Sequence, residues 1–138
     1  MKFGLLTAIL EGTTFEEAVD FAAENQLECL EVACWPNTGG AKRRYAGVCH
    51  IDAEALTEEK AKEIIQYCKE RNVEISSLGY YPNTLDPDLE KRKQYIDHIY
   101  ALIDASSMLN VNMVTTFLDM NTEYYNKQMQ SVLKVFTQ

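Results

Sequence analysis

The feature that most constrains this chain is a joint used three times. A helical pattern closes on Asn, and within two residues an apolar side chain leads into a run that reads as a strand. The three instances are Asn25-Gln26-Leu27, Asn72-Val73 and Asn110-Val111. Asn tolerates the left-handed conformation that closes a helix, second only to Gly. The repeating unit is therefore βα, used four times. Strands joined by helical crossovers run parallel, with right-handed connections. The predicted strands are Phe3 to Ala8, Cys29 to Cys34, Glu74 to Tyr80 and Asn112 to Phe117.

Each helix carries a start signal. Thr14-Phe15-Glu16-Glu17 is a capping box, followed by Phe15, Ala18, Val19 and Ala22 on one face. Thr57 caps a second helix with the stripe Ala61, Ile64, Ile65 and Cys68; Glu58 and Glu59 suit the positive end of its dipole. Asp86-Pro87, Asp as cap and Pro as first helical residue, predicts a third helix that buries Leu89, Ile96, Ile99 and Ile103 and leaves His98 at the surface. Thr122 opens a fourth, carrying Tyr125, Met129, Val132 and Phe136.

Short αβ joints and long βα loops put the candidate chemistry beyond the C-terminal strand ends, where parallel α/β folds bind ligands. Four βα units fit two architectures: a small open sheet with helices on both faces, or part of a (β/α)₈ barrel, which needs about 250 residues when complete. The 138 residues suit one domain spanning 1–138. A formal charge of −8 argues against a nucleic-acid surface, and no apolar run approaches the ~18 residues of a membrane span. The N-terminus lacks a signal-peptide pattern, so the expectation is a cytoplasmic protein with reduced thiols. Cys29, Cys34, Cys49 and Cys68 include no C-x-x-C pair, and Cys34, Cys49 and His50 match no standard zinc spacing. Neither G-x-G-x-x-G nor a phosphate-binding P-loop occurs.

Three segments resemble the sugar phosphate isomerase/epimerase family of xylose-isomerase-like TIM barrels: Leu30-Glu31-Val32-Ala33-Cys34-Trp35-Pro36; Arg44-Tyr45-Ala46-Gly47-Val48-Cys49-His50-Ile51-Asp52; and Ile75-Ser76-Ser77-Leu78-Gly79-Tyr80-Tyr81-Pro82-Asn83. The order of elements matches from Met1 to about Phe117 and covers about half of a family barrel. The resemblance implies an α/β fold in which four βα units with parallel strands form half of a TIM (β/α)₈ barrel. It implies sugar or sugar phosphate substrates and proton transfer next to a sugar carbonyl. A divalent metal (Mn, Mg, Zn or Co) is expected for the complete barrel, on Glu, Asp, His and Glu ligands of the later strands. None is expected from this chain alone. The chain departs from the pattern after the fourth strand: relatives carry Gly-Arg where it reads Leu118-Asp119, and the tail from Asn121 matches weakly, as in a truncated product.

Each candidate binding residue has a plainer reading beside it. Glu31 interrupts an apolar strand and alternates with Leu30 and Val32; it faces a pocket floor, makes a structural ion pair or is exposed in a half-barrel. His50 binds a sugar hydroxyl or takes part in proton transfer, or is a surface loop residue. Trp35 stacks on a sugar face or anchors its loop. Tyr80, Tyr81 and Asn83 donate to hydroxyls, although Pro82-Asn83 is equally a turn signal. Lys42, Arg43 and Arg44 meet a substrate anion or form a solvated loop. Which residue is catalytic stays unassigned.

Four strands do not close a barrel. Open strand edges and an open apolar face predict self-association as a homo-oligomer. Three functions follow: an isomerase or epimerase half-barrel, a non-catalytic oligomeric or sugar-binding module, or an inosose-dehydratase-like lyase.

Overall fold

The computed structural model describes residues 1–37 and 47–116. The Lys42-Arg43-Arg44 cluster, Phe117 and the helix expected from Thr122 lie outside the described residues. Strand β1 (Gly4–Leu6) runs into a 3₁₀ turn, Thr7–Ile9. Helix α1 (Phe15–Glu24), strand β2 (Cys29–Ala33), helix α2 (Glu58–Glu70), strand β3 (Glu74–Gly79), helix α3 (Leu89–Met108) and strand β4 (Val114–Thr115) follow. The strands form one parallel sheet in the order β1-β2-β3-β4. Sequence order and spatial order coincide, as along the wall of a barrel.

The three joints fold alike. After α1, Leu27 N–H bonds Ala22 O and Gln26 N–H bonds Ala23 O; after α2, Val73 bonds Cys68 and Asn72 bonds Lys69; after α3, Val111 bonds Ser106 and Asn110 bonds Ser107. These pairs of bonds close each helix in a Schellman turn and deliver an apolar residue to the sheet. The left-handed residues are Gln26, Asn72 and Asn110, with φ of 58°, 54° and 56°. In the first joint the strained position thus falls to Gln26 rather than to Asn25.

Alternation divides the sheet. Leu30, Val32, Leu78 and Tyr80 point to the helical side and join Phe15, Val19, Ile64 and Leu102 in the main core. Each such fully buried aliphatic contributes about 1.5–3 kcal/mol. On the other side Ala8, Ala33 and Val48 make a small second cluster. Thr7, fully buried, accepts a 2.9 Å hydrogen bond from Ala33 N with its hydroxyl, which extends the β1–β2 contact past the end of the ladder.

Helix α3 departs from expectation twice. Its cap is Asp88, whose side chain accepts from Glu90 N and Lys91 N. Asp86 is instead spent on a turn, accepting from Asp88 N with its carboxylate and from the Arg92 guanidinium with its carbonyl. The buried face is also rotated. His98, Leu102 and Ala105 point inward, while Leu89, Ile96 and Ile103 are exposed. His98 is 3% exposed, contrary to the surface position expected of it. Helical spacing allowed either stripe. The buried one holds Ala105, small enough for close approach to the sheet, and a histidine whose polar atoms find partners there.

Candidate functional site

At the C-terminal end of the sheet, on the face away from the helices, Glu31, Ser77 and Tyr81 come together. Glu31 pairs with Ser77 in the β2–β3 register, after an irregularity between Leu30 and Glu31. Ser77 Oγ donates to Glu31 Oε2 at 3.1 Å, and Tyr81 O–H donates to Glu31 Oε1. A phenol has one proton, so Thr115 Oγ, 2.9 Å from Tyr81 O, donates toward it. Burial and the adjacent Glu31 carboxylate raise the Tyr81 hydroxyl above its ordinary value, which keeps it a donor. Gly79 leaves room for this cluster: a Cβ there would lie 2.9 Å from Glu31 Oε1.

His50 is placed by a single antiparallel bridge beyond β2. Its N–H donates to Ala33 O at 2.9 Å, and Trp35 N–H donates to Val48 O at 3.1 Å. Thr13 Oγ1 gives its only proton to Leu10 O at 2.8 Å, so the His50 Nε2–H, 3.2 Å away, is the donor to Thr13. That assigns the ring proton to Nε2 and leaves Nδ1 as a bare acceptor. Nδ1 is buried with no partner among the described residues. Burial lowers the pKa of His50, partly offset by the Thr13 and Leu10 carbonyls, and so favours the neutral ring.

The remaining expected residues divide. Trp35 is half-buried and meets Tyr80 edge-on at 4.9 Å; Tyr80 meets His98 edge-on at 4.6 Å. Tyr80 is 2% exposed and lies in the layer beneath α3. His98 turns Nε2 to Cys34 O at 2.8 Å and Nδ1 to the exposed Glu54 carboxylate at 2.9 Å. Asn83 is half-buried and accepts from Leu85 N in a turn. Thr84, beside it, has a buried hydroxyl with no partner among the described residues. Sequence reading missed Ser77, Thr115 and Thr13; the alternation of β3 around Leu78 carried the signal for Ser77, whereas Thr13 had none.

Among the described residues no three side chains of His, Cys, Asp or Glu converge where a cation could be held. Glu31 is committed to two hydroxyl donors, and His50 offers one nitrogen. These residues do not by themselves fit the divalent metal expected of a complete barrel. A carboxylate-anchored phenol, an imidazole nitrogen without a partner among the described residues and a half-buried indole lie toward the C-terminal ends of the strands.

The xylose isomerase-like TIM barrel family matches residues 19–138, which takes in the divergent tail. No curated protein sequence matches significantly. Among solved structures, the probable 3-DHS dehydratase AsbF from Bacillus anthracis is 23% identical with a TM-score of 0.55, over 85% of this chain and 38% of that one. D-psicose 3-epimerase, crystallised in the presence of D-fructose, is 15% identical with a TM-score of 0.61, over 86% and 37%. D-psicose 3-epimerase from Clostridium cellulolyticum H10, crystallised with D-tagatose, is 16% identical with a TM-score of 0.56, over 84% and 37%. The chain thus spans under two fifths of the length of these structures, and at these identities the likeness is one of fold. No helix among the described residues is long and apolar enough to cross a membrane.

Proposed function

The chain belongs to the xylose isomerase-like TIM barrel family, and from that premise we propose that its βα units are the N-terminal part of a barrel acting on a sugar or sugar phosphate. The reaction class is removal and return of a proton next to the sugar carbonyl, as in isomerisation or epimerisation. Dehydration of an inosose-like substrate begins with the same step. The observation that carries the reading is the buried Nδ1 of His50, without a partner among the described residues and set among strand ends where this fold binds ligands. A ligand hydroxyl donating to Nδ1 satisfies it. Tyr81, held by Glu31, and Asn83 face hydroxyls, Trp35 offers a ring face, and Tyr80 supports Trp35 from beneath. The divalent metal (Mn, Mg, Zn or Co) that the resemblance implies for a complete barrel would supply electrostatic stabilisation of charge at the sugar carbonyl, and the described residues do not by themselves hold it.

Trp35 is the sole Trp and therefore a built-in probe. Titrating the purified chain with D-psicose, D-fructose and ketose phosphates is expected to give a saturable change in its fluorescence, weakened at least about tenfold in His50→Ala, the ~1.4 kcal/mol of one modest hydrogen bond. No saturable change with any of them would overturn sugar binding by this chain.

We propose further that the chain associates with a second copy through its sheet edges. Among the described residues β1 and β4 each pair on one side only, and Phe3 and Met113 beside them are 62% and 51% exposed. Light scattering should give about twice the 15.8 kDa chain mass. Phe3→Lys or Met113→Lys should return it to one. A wild-type monomer at tens of micromolar refutes this.

A further inference from the structure

We propose that Cys34 and Cys49 are a built disulfide site, which on oxidation clamps the end of β2 to the returning segment around His50. The two residues are partners in an isolated antiparallel bridge, and both are free thiols. The bonds that define the bridge run from Trp35 N to Val48 O and from His50 N to Ala33 O, one residue outward on each side. That pattern makes Cys34 and Cys49 a non-hydrogen-bonded pair, with Cα atoms about 4.5 Å apart and side chains on one face. Disulfides span Cα separations of about 4.4–6.8 Å. The other thiols are elsewhere: Cys29 is about 16 Å of strand from Cys34, at the far end of β2, and Cys68 is on α2.

The exposures order the chemistry. Cys34 is fully buried and Cys49 is half-buried. With a low-molecular-weight disulfide such as oxidised glutathione, the Cys49 thiolate attacks one sulfur and expels one thiolate, which takes up the proton Cys49 lost. The sulfur of Cys34, giving up its proton in turn, then attacks Cys49 Sγ and expels the second thiol. Two protein thiols are oxidised and one glutathione disulfide becomes two thiols. Cys34 needs no solvent access, because its target is inside. Burial, and next the charge of Asp52, hold the Cys49 thiol at about 11, so the first step quickens as pH rises. The bridge fixes Trp35 and His50, the neighbours of its two ends.

The test is incubation of the folded chain with oxidised glutathione, followed by peptide mapping without reductant. The expected product is a Cys34–Cys49 cross-linked peptide two hydrogens lighter than its parts, with two thiols lost per chain. Its melting temperature should be on the order of 10 °C higher, reversed by dithiothreitol. Cys49→Ser, a half-buried position that spares the core, should lose both the cross-link and the shift, while Cys29→Ser keeps them. A persistent glutathione adduct on Cys49, a bridge to Cys29 or Cys68, or full retention of thiols in the folded chain would overturn the assignment.

Discussion

The Nε2 of His98 lies 2.8 Å from the carbonyl oxygen of Cys34, so α3 is tied to the residue at which β2 gives way to its loop. The ring also packs on Tyr80, which packs on Trp35. Replacing His98 by Leu keeps the volume but leaves a buried carbonyl unpaired. The expected cost is about 2–4 kcal/mol in urea unfolding. Glu54, the partner at Nδ1, is 64% exposed, and Glu54→Ala should change stability by no more than about 0.5 kcal/mol. Equal losses in the two variants would contradict this division.

Gly79 and Gly4 predict opposite outcomes for the same substitution. A Cβ at Gly79 meets the far end of Glu31 and, at 3.2 Å, the Tyr81 ring, both of which can move. Gly79→Ala should cost only about 1 kcal/mol but displace the Glu31 carboxylate, weakening ligand-induced Trp35 fluorescence as much as Tyr81→Phe does. At Gly4 the obstacle is the Cys29 backbone carbonyl. Gly4→Ala should cost more, about 2–3 kcal/mol, with ligand response intact in whatever remains folded. The readouts are a urea melt and a ketose titration on each variant.

The layout of the fold is legible in the sequence because its signals are local. Capping at Thr14 and Thr57 and the closures near Asn25, Asn72 and Asn110 each depend on residues within one turn. The buried face of α3 is not local. Leu89, Ile96 and Ile103 form as good a helical stripe as Tyr95, His98 and Leu102, and only the position of Cys34 O and the Tyr80 ring decides between them. Asp86 and Asp88 are both competent caps by residue type; Asp88 takes the role, while Asp86 accepts from Asp88 N and from the Arg92 guanidinium. At the site, the inward face of Glu31 followed from alternation. Its donors did not, because Tyr81 is 50 residues away and their meeting depends on the sheet register.

The left-handed closures give a stability series. A non-glycine residue at positive φ carries a penalty of about 1–2 kcal/mol, less for Asn. Gln26→Gly should therefore raise stability by about 1 kcal/mol, and Asn72→Gly and Asn110→Gly by about half of that. Melting temperatures of the three variants, measured side by side, check the order. Destabilisation by Gln26→Gly would mean that its side chain does more than tolerate the turn.

The pH dependence of stability should carry a signature of His50. Its pKa in the fold is below the ordinary 6.5, chiefly because burial disfavours the charged ring. Between the folded and unfolded values the unfolded chain binds more protons, so stability rises with pH there. The contribution is complete above about pH 7 and is lost as pH falls below the unfolded value, levelling off under the folded one. Asp20 acts lower in the scale: the Arg71 guanidinium holds its carboxyl below the usual range, so its contribution is lost only in stronger acid. Replacing His50 by Gln keeps a donor for Thr13 without a titrating ring. The expected result is a urea midpoint that drops as pH falls through the ordinary 6.5 of histidine in the wild type and much less in His50→Gln, with parallel losses where the carboxylates titrate. Superimposable profiles down through the ordinary histidine range would show that the ring charges freely, leaving no bare Nδ1 to accept from a sugar hydroxyl.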